Sequence, residues 1–265
     1  MILKRVFVRV LPAFFLLIPF VTFAQNNAAF DRGTYILKKD TLPYRILFPK
    51  DFDPDKKYPL VLFLHGAGER GSDNEAQLAH GASLFLNDTI RDKYPAIVVF
   101  PQCPKNSYWS NVIIDTMAKG QRAFGFQQGG DPTRAMVSLL GLIKDLLEKP
   151  YVDTRRVYVG GLSMGGMGTF ELLRRKPKLF AAAIAICGGD NTANAKIYAK
   201  KVPVWIFHGE KDDVVPVEHS EVMVQAIKDA GGDPKFTLYP NDKHNSWDDA
   251  FKEPQLIPWL FSHRQ

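Results

Sequence analysis

Residues 161–165 read Gly-Leu-Ser-Met-Gly, a G-x-S-x-G pattern between a strand-like run, RRVYVGG, and a helix-like run, MGTFELLRRK. Glycines cost backbone entropy inside regular elements, so a cluster of them around one serine marks a turn that side chains would obstruct. A strand-to-helix turn of this kind holds the serine with its hydroxyl projecting from the sheet. The hydroxyl of Ser163 is a weak nucleophile at neutral pH and needs an adjacent base. Further along the chain come an acid, Asp212 or Asp213 in HGEKDDVVP, and then His244 in NDKHNSW. A histidine can take the serine proton and later return it to a leaving group, while a carboxylate fixes the imidazole tautomer and stabilises the imidazolium. These residues alone do not separate the two adjacent aspartates. A phosphate-binding loop is excluded, because no Lys-Ser or Lys-Thr follows the glycines and no G-x-G-x-x-G is present.

The elements that must position these residues can be read from hydrophobic pattern. GTYILKK and LPYRILFP are β-rich runs joined by a short polar turn, which predicts an antiparallel hairpin. YPLVLFLHG and PAIVVFPQ are continuous apolar runs, as expected of strands buried on both faces. RVYVGG, AAAIAIC, VPVWIFHG and KFTLYP follow as strands. Helical spacing covers 132–148 behind Pro132, and helices are expected around 74–86, 166–176, 217–230 and 253–262. This alternation predicts one α/β domain, with a mainly parallel sheet covered by helices on both faces. In such sheets the active residues gather at the carboxyl ends of strands. Ser163, the aspartate pair and His244 each fall just after a strand, and so does the HGAGERG segment at 65–71.

The other histidines have structural explanations. His65 and His208 precede glycine at strand ends and are expected to support turns. His80 precedes the acid in the chain and falls on a predicted helix, His219 starts another helix, and His263 lies at the terminus.

Taken together, LHGAGERGSDN, PQCP…YWS, VYVGGLSMGG, HGEKDDVVP and KHNSWDDAF resemble the blocks of the α/β-hydrolase superfamily. Within it the chain resembles an esterase and predicted-peptidase group related to bacterial carbohydrate esterases and polyhydroxybutyrate-depolymerase-like enzymes. The resemblance covers nearly all of residues 25–265. It implies an eight-stranded sheet of order 1-2-4-3-5-6-7-8, and it favours Asp212 over Asp213, so that the triad is Ser163, Asp212 and His244. In this class the oxyanion of the tetrahedral intermediate is held by the N–H after the nucleophile, here Met164, and by one from the loop after the third strand, here Ala67. The strand order also puts Cys103 and Cys187 about three strand spacings apart, too far for a disulfide, so both are expected unpaired. The segment 102–131 is long for a connection. Its Tyr108, Trp109, Phe124 and Phe126 could line a substrate cleft, with Trp109 the expected substrate contact.

The sequence has 265 residues and a net charge of +6. Its first 24 residues have the layout of a secretory signal: Lys4, Arg5 and Arg9, an apolar stretch, then Thr22-Phe23-Ala24. The apolar stretch is short for a membrane span and carries Pro12 and Pro19, so cleavage is expected rather than anchoring. Half of the net charge leaves with it. The remaining basic run, Arg174 to Lys178, falls at a predicted helix end, where cations suit the dipole. No nucleic-acid partner, cofactor or metal is expected. The reading is a secreted or periplasmic serine esterase acting on short or aromatic acyl esters, with carbohydrate the expected carrier of the ester. The alternatives are a serine peptidase using the same triad and a non-catalytic binding protein on the same fold.

Overall fold

The computed structural model describes residues 27–116 and 122–265. The segment 1–24, expected from its sequence to be a signal, lies outside the described residues. The chain enters on an antiparallel hairpin, β1 (Asp31–Leu37) and β2 (Asp40–Leu47), turned by Lys38 at φ 55°. β3 (Tyr58–Leu64) and β4 (Ile97–Pro101) are buried along their whole length, as their continuous apolar runs require. Between them lie two short helices, α1 (Ala82–Leu86) and α2 (Asp88–Lys93). The helix expected over 74–86 is broken here: a single 3-10 turn at Ala76–Leu78 ends before Gly81, whose φ of 83° no right-handed helix admits.

The long 102–131 segment carries a hairpin that the sequence pattern did not reveal. Its strands are β5 (Ile113–Thr116) and β6 (Arg122–Gly125). The two form a sheet of their own, apart from the main one. α3 (Arg134–Leu147) follows, with Thr133 accepting the Met136 N–H as its N-cap. Then come β7 (Val152–Leu162), α4 (Met164–Arg175), β8 (Ala182–Ile186), α5 (Ala195–Tyr198), β9 (Val204–Gly209), α6 (Glu218–Asp229) and β10 (Lys235–Tyr239). The chain closes on α7 (Trp247–Ala250) and α8 (Leu256–Ser262).

The eight-stranded sheet has the order β1-β2-β4-β3-β7-β8-β9-β10, antiparallel at its β1–β2–β4 edge and parallel from β4 onward. Strand alternation divides the core in two. Leu60, Leu62 and Leu64 of β3 face α3, α4, α5 and α6, while Val61 and Phe63 face α1 and α8. Each such side chain contributes about 1.5–3 kcal/mol by leaving water. This two-faced burial fixes the sheet rigidly, and every βα connection of its parallel part emerges at one edge. No helix among the described residues is long and apolar enough to cross a membrane.

Candidate active site

The glycine cluster of 160–168 is explained where β7 meets α4. Ser163 sits between them at φ 53° and ψ −117°, a conformation an L-residue adopts only under constraint. A side chain at Gly165 would run into the Leu64 carbonyl, and one at Gly161 into the backbone of Gly165. Only glycine lets the turn close this tightly on β3. Ser163 N–H donates to Ile186 O at 2.8 Å, which locks the turn to β8.

His244, on the loop after β10, bridges the other two residues. Its Nε2 lies 3.0 Å from Ser163 Oγ and its Nδ1 2.7 Å from Asp212 Oδ2. The Asp212 side chain is wholly buried, whereas His244 keeps 19% of its side chain exposed. Asp212 Oδ1 accepts the Val214 and Val215 N–H groups, both at 2.9 Å, so the same carboxylate shapes its own turn. Burial alone would raise this acid. Hydrogen bonds from His208, His244 and the Val215 N–H outweigh that and hold it well below the usual carboxylate range. Asp213 instead points to solvent, with Lys243 3.9 Å away. The structure thus brings Ser163, Asp212 and His244 together and leaves Asp213 outside.

Sequence reasoning gave His208 only a turn. It is fully buried, and its Nε2 sits 2.9 Å from Val215 O and 3.2 Å from Asp212 Oδ2. Its Nδ1 lies 2.7 Å from Ser220 Oγ, which in turn lies 3.1 Å from Gly188 O. A second histidine therefore abuts the same carboxylate oxygen, Oδ2, that His244 meets. The only signal for it in the sequence is its spacing of four residues before Asp212, across the turn that the aspartate closes.

His65 organises the loop that holds Ala67. Its Nε2 accepts the Cys103 N–H at 2.9 Å, so the ring proton is on Nδ1 and is donated to Gly66 O at 2.6 Å. Burial pushes this imidazole down to about 4, which keeps it neutral in that role. Holding the Gly66 carbonyl fixes the peptide plane whose N–H is that of Ala67. Arg70 Nε donates to Ala67 O at 3.0 Å and pins the next plane. Met164 N–H opens α4 and has no preceding helical carbonyl to bond. Met164 follows the serine in the chain, and the loop that carries Ala67 comes alongside it: a methyl group built on Gly66 would stand 3.7 Å from Ser163 Cβ.

The expectation that Trp109 touches substrate is corrected. Trp109 has no exposed surface; it packs against Gly168 of α4 and stacks edge-on to His65 at 5.4 Å. A large ring gains most where a glycine leaves room for all of it, and burial wins here. Tyr108, Phe124 and Phe126 are each partly exposed, and the two phenylalanines are stacked at 6.0 Å with His219 edge-on to both. Phe126 and His219 both flank Gly189, in the loop after β8. Asn191 and Asn194 tie this part of the hairpin down by donating to Phe126 O and Gln127 O.

Cys103 and Cys187 are both buried and unpaired, on the separated strands the expected order requires. Burial pushes the Cys103 thiol up to about 12 and the Cys187 thiol higher still. Cys187 Sγ, Asp212 and His244 have ligand atoms within 4.8 Å of one another. The carboxylate and the imidazole are already committed to each other, and the thiol is held protonated, so this trio is poorly suited to a cation.

Residues 53–255 match the model of the phospholipase/carboxylesterase family. A solved thermostable esterase shares 37% identity at a TM-score of 0.80, covering 90% of this chain and 64% of that one. The bifunctional acetylxylan esterase/xylanase of Neocallimastix patriciarum is 27% identical over 73% of this chain and 25% of its own length. Dipeptidyl-peptidase 5 of Porphyromonas gingivalis is 23% identical over 83% of this chain and 36% of its own length. The chain therefore spans between a quarter and two thirds of the length of these relatives.

Proposed function

Because the chain belongs to the phospholipase/carboxylesterase family of α/β hydrolases, we propose that it is an exported serine esterase cleaving short or aromatic acyl esters, with carbohydrate as the alcohol. The observation that carries this reading is the His244 bridge between Ser163 Oγ and the buried Asp212, built on a constrained serine turn. In the reaction, Ser163 Oγ attacks the ester carbonyl carbon while His244 Nε2 takes its proton. Asp212 holds the imidazolium. The negative carbonyl oxygen of the tetrahedral intermediate accepts the N–H groups of Met164 and Ala67, a contribution of about 3–4 kcal/mol per donor. Collapse breaks the C–O bond, and His244 returns the proton to the departing alcohol. Water, deprotonated by His244, then releases the acid from Ser163.

Three features support the finer assignments. The leader at 1–24 supports export. The rings of Phe124, Phe126 and His219 beside Gly189 offer flat apolar surface for a small or aromatic acyl group. The acetylxylan esterase similarity supports a saccharide alcohol. The test compares kcat/KM for acetylated and feruloylated xylo-oligosaccharides, 4-nitrophenyl acetate and unblocked peptides. The esters are expected to lead. Peptides cleaved best would replace this reading with that of a serine peptidase, in line with the dipeptidyl-peptidase relative.

A further inference from the structure

Beside His244, three side chains outside the triad line up toward the serine. Trp247, the first residue of α7, sets its ring edge-on to His244 at a centroid distance of 5.3 Å. The same indole lies 5.1 Å from the ring of His80. His80 Nε2 is 3.8 Å from Glu69 Oε1. Glu69 Oε2 and Ser163 Cβ both border the space over Gly66: a methyl group built there would lie 3.0 Å from the one and 3.7 Å from the other. A continuous wall of carboxylate, imidazole and indole thus runs from the nucleophile around the catalytic histidine.

The chemistry of this wall is specific. Among the described residues the Glu69 carboxylate has one ion-pair neighbour, His80, and that lies beyond hydrogen-bond reach. Glu69 and His80 keep 16% and 35% of their side chains exposed, so their free lone pairs and N–H can meet a ligand. The backbone that carries Glu69 is held in place, because Gln102 Nε2 donates to Glu69 O at 3.1 Å and Gly71 N–H to Cys103 O at 2.9 Å. The side matters as well. His244 Nε2 delivers its proton to the leaving oxygen, so the leaving alcohol lies against His244 and its neighbours. An acceptor-only carboxylate there takes hydroxyl donors and repels carboxylates and phosphates. An indole offers a flat apolar face on which the C–H side of a ring can lie.

We infer that Glu69, His80 and Trp247 form a leaving-group subsite that takes a neutral, polyhydroxylated sugar ring, stacked on Trp247 with neighbouring hydroxyls on Glu69. This rests on the esterase reading of the triad and adds to it which flank holds the sugar and by what groups. It moves the role expected of Trp109 to a tryptophan that follows the catalytic histidine by three residues.

The readout is the ratio of kcat/KM for an acetylated xylo-oligosaccharide to that for 4-nitrophenyl acetate. The two share an acyl group, and only the first leaving group carries hydroxyls. Wild-type enzyme that cleaves neither would end the esterase reading itself. Given turnover of 4-nitrophenyl acetate, Glu69→Ala is expected to lower the ratio about 10- to 100-fold, as loss of a hydrogen bond to a charged group does. Glu69→Gln keeps an oxygen acceptor and is expected to lose less. Trp247→Ala is expected to lower the ratio about tenfold, and Trp247→Phe to recover most of it. A ratio unmoved by both alanine variants overturns the subsite. So does a wild-type preference for an aminoacyl 4-nitroanilide that Glu69→Gln and Glu69→Ala abolish equally, since Glu69 would then be reading an ammonium group.

Discussion

Serine and histidine side chains meet at both ends of the sheet, and only one of these contacts can do chemistry. At the carboxyl end, Ser163 Oγ and His244 Nε2 are 3.0 Å apart and Asp212 backs the imidazole. At the amino end, Ser262 Oγ and His263 Nδ1 are 3.2 Å apart, beside an open cleft of about 1120 Å³ lined by Lys178, Lys200, Lys201, Lys235 and Arg264. There both side chains spend their hydrogens on the same carbonyl, Trp259 O, each at 2.7 Å. Among the described residues no carboxylate orients His263, and Ser262 ends a helix rather than beginning one. A wide cleft thus lies at the end where serine and histidine do not form a triad. What distinguishes the other end is convergence: a constrained serine turn, a buried acid and a histidine within hydrogen-bond distance of both.

The sharpest break of this comparison is the pair of serine substitutions. Ser163→Ala is expected to cost about 10⁴- to 10⁶-fold in kcat on 4-nitrophenyl acetate, since triad members act as a unit. Ser262→Ala is expected to leave it within about twofold, because an exposed helix-end hydroxyl carries little. A comparable loss from both would mean that geometry had been misjudged at one end.

The next contrast lies between neighbours. Asp212→Asn is expected to lower kcat about 10⁴-fold by imposing the wrong histidine tautomer. Asp213→Asn loses only an exposed charge pairing and is expected to change kcat by less than about twofold. The reverse order would place the acid at the wrong residue.

The smallest effect concerns how buried acids are held at the active end. Asp212 is depressed, against its burial, by two histidines and the Val215 N–H, while Asp190 has the Asn194 amide on both its oxygens and is raised to about 6. Burial is the main cause, and hydrogen bonds from Asn191 and Asn194 only partly offset it. The folded chain thus holds the Asp190 proton more tightly than the unfolded chain, whose carboxyl titrates near 3.9. Its contribution is full below about pH 4 and is lost as pH rises through about 6. Asp190→Asn keeps an acceptor for Asn194 and removes the charge. In urea unfolding it is expected to gain on the order of 2 kcal/mol at pH 7.5 and almost nothing at pH 4. A loss at pH 7.5 would show that the charge of Asp190 is needed. Asp212 has the opposite sign: its stabilisation is present above about pH 4 and disappears on further acidification.

Much of this end of the molecule was legible in sequence, for identifiable reasons. Strands buried on both faces leave continuous apolar runs, and the residues that follow them, Ser163, Asp212 and His244, stand out as polar punctuation. The glycines of the serine turn announce a backbone approach that only glycine allows. The remainder depends on distance through space. Trp109 carries the same composition whether it lines a cleft or fills the space over Gly168, so its burial had no local mark. His208 touches Asp212 across a tight turn and shows only as a histidine before glycine. The break at Gly81 and the β5–β6 hairpin are set by tertiary packing, which overrides propensity in short segments. Glu69 and His80 lie on the connection after β3 and Trp247 after β10, and they meet only when the two strands deliver their loops to one edge.

The central claim, that Ser163 is the nucleophile of an ester hydrolase poised by His244, is tested most directly by trapping. A fluorophosphonate reacts at an activated serine and stays attached. Digestion and mass mapping of the treated protein are expected to find one adduct, on Ser163, formed with the same loss of ester hydrolysis. The adduct should be absent from His244→Ala protein. Labelling of another serine with loss of activity, or full ester hydrolysis by protein already modified at Ser163, would contradict the claim.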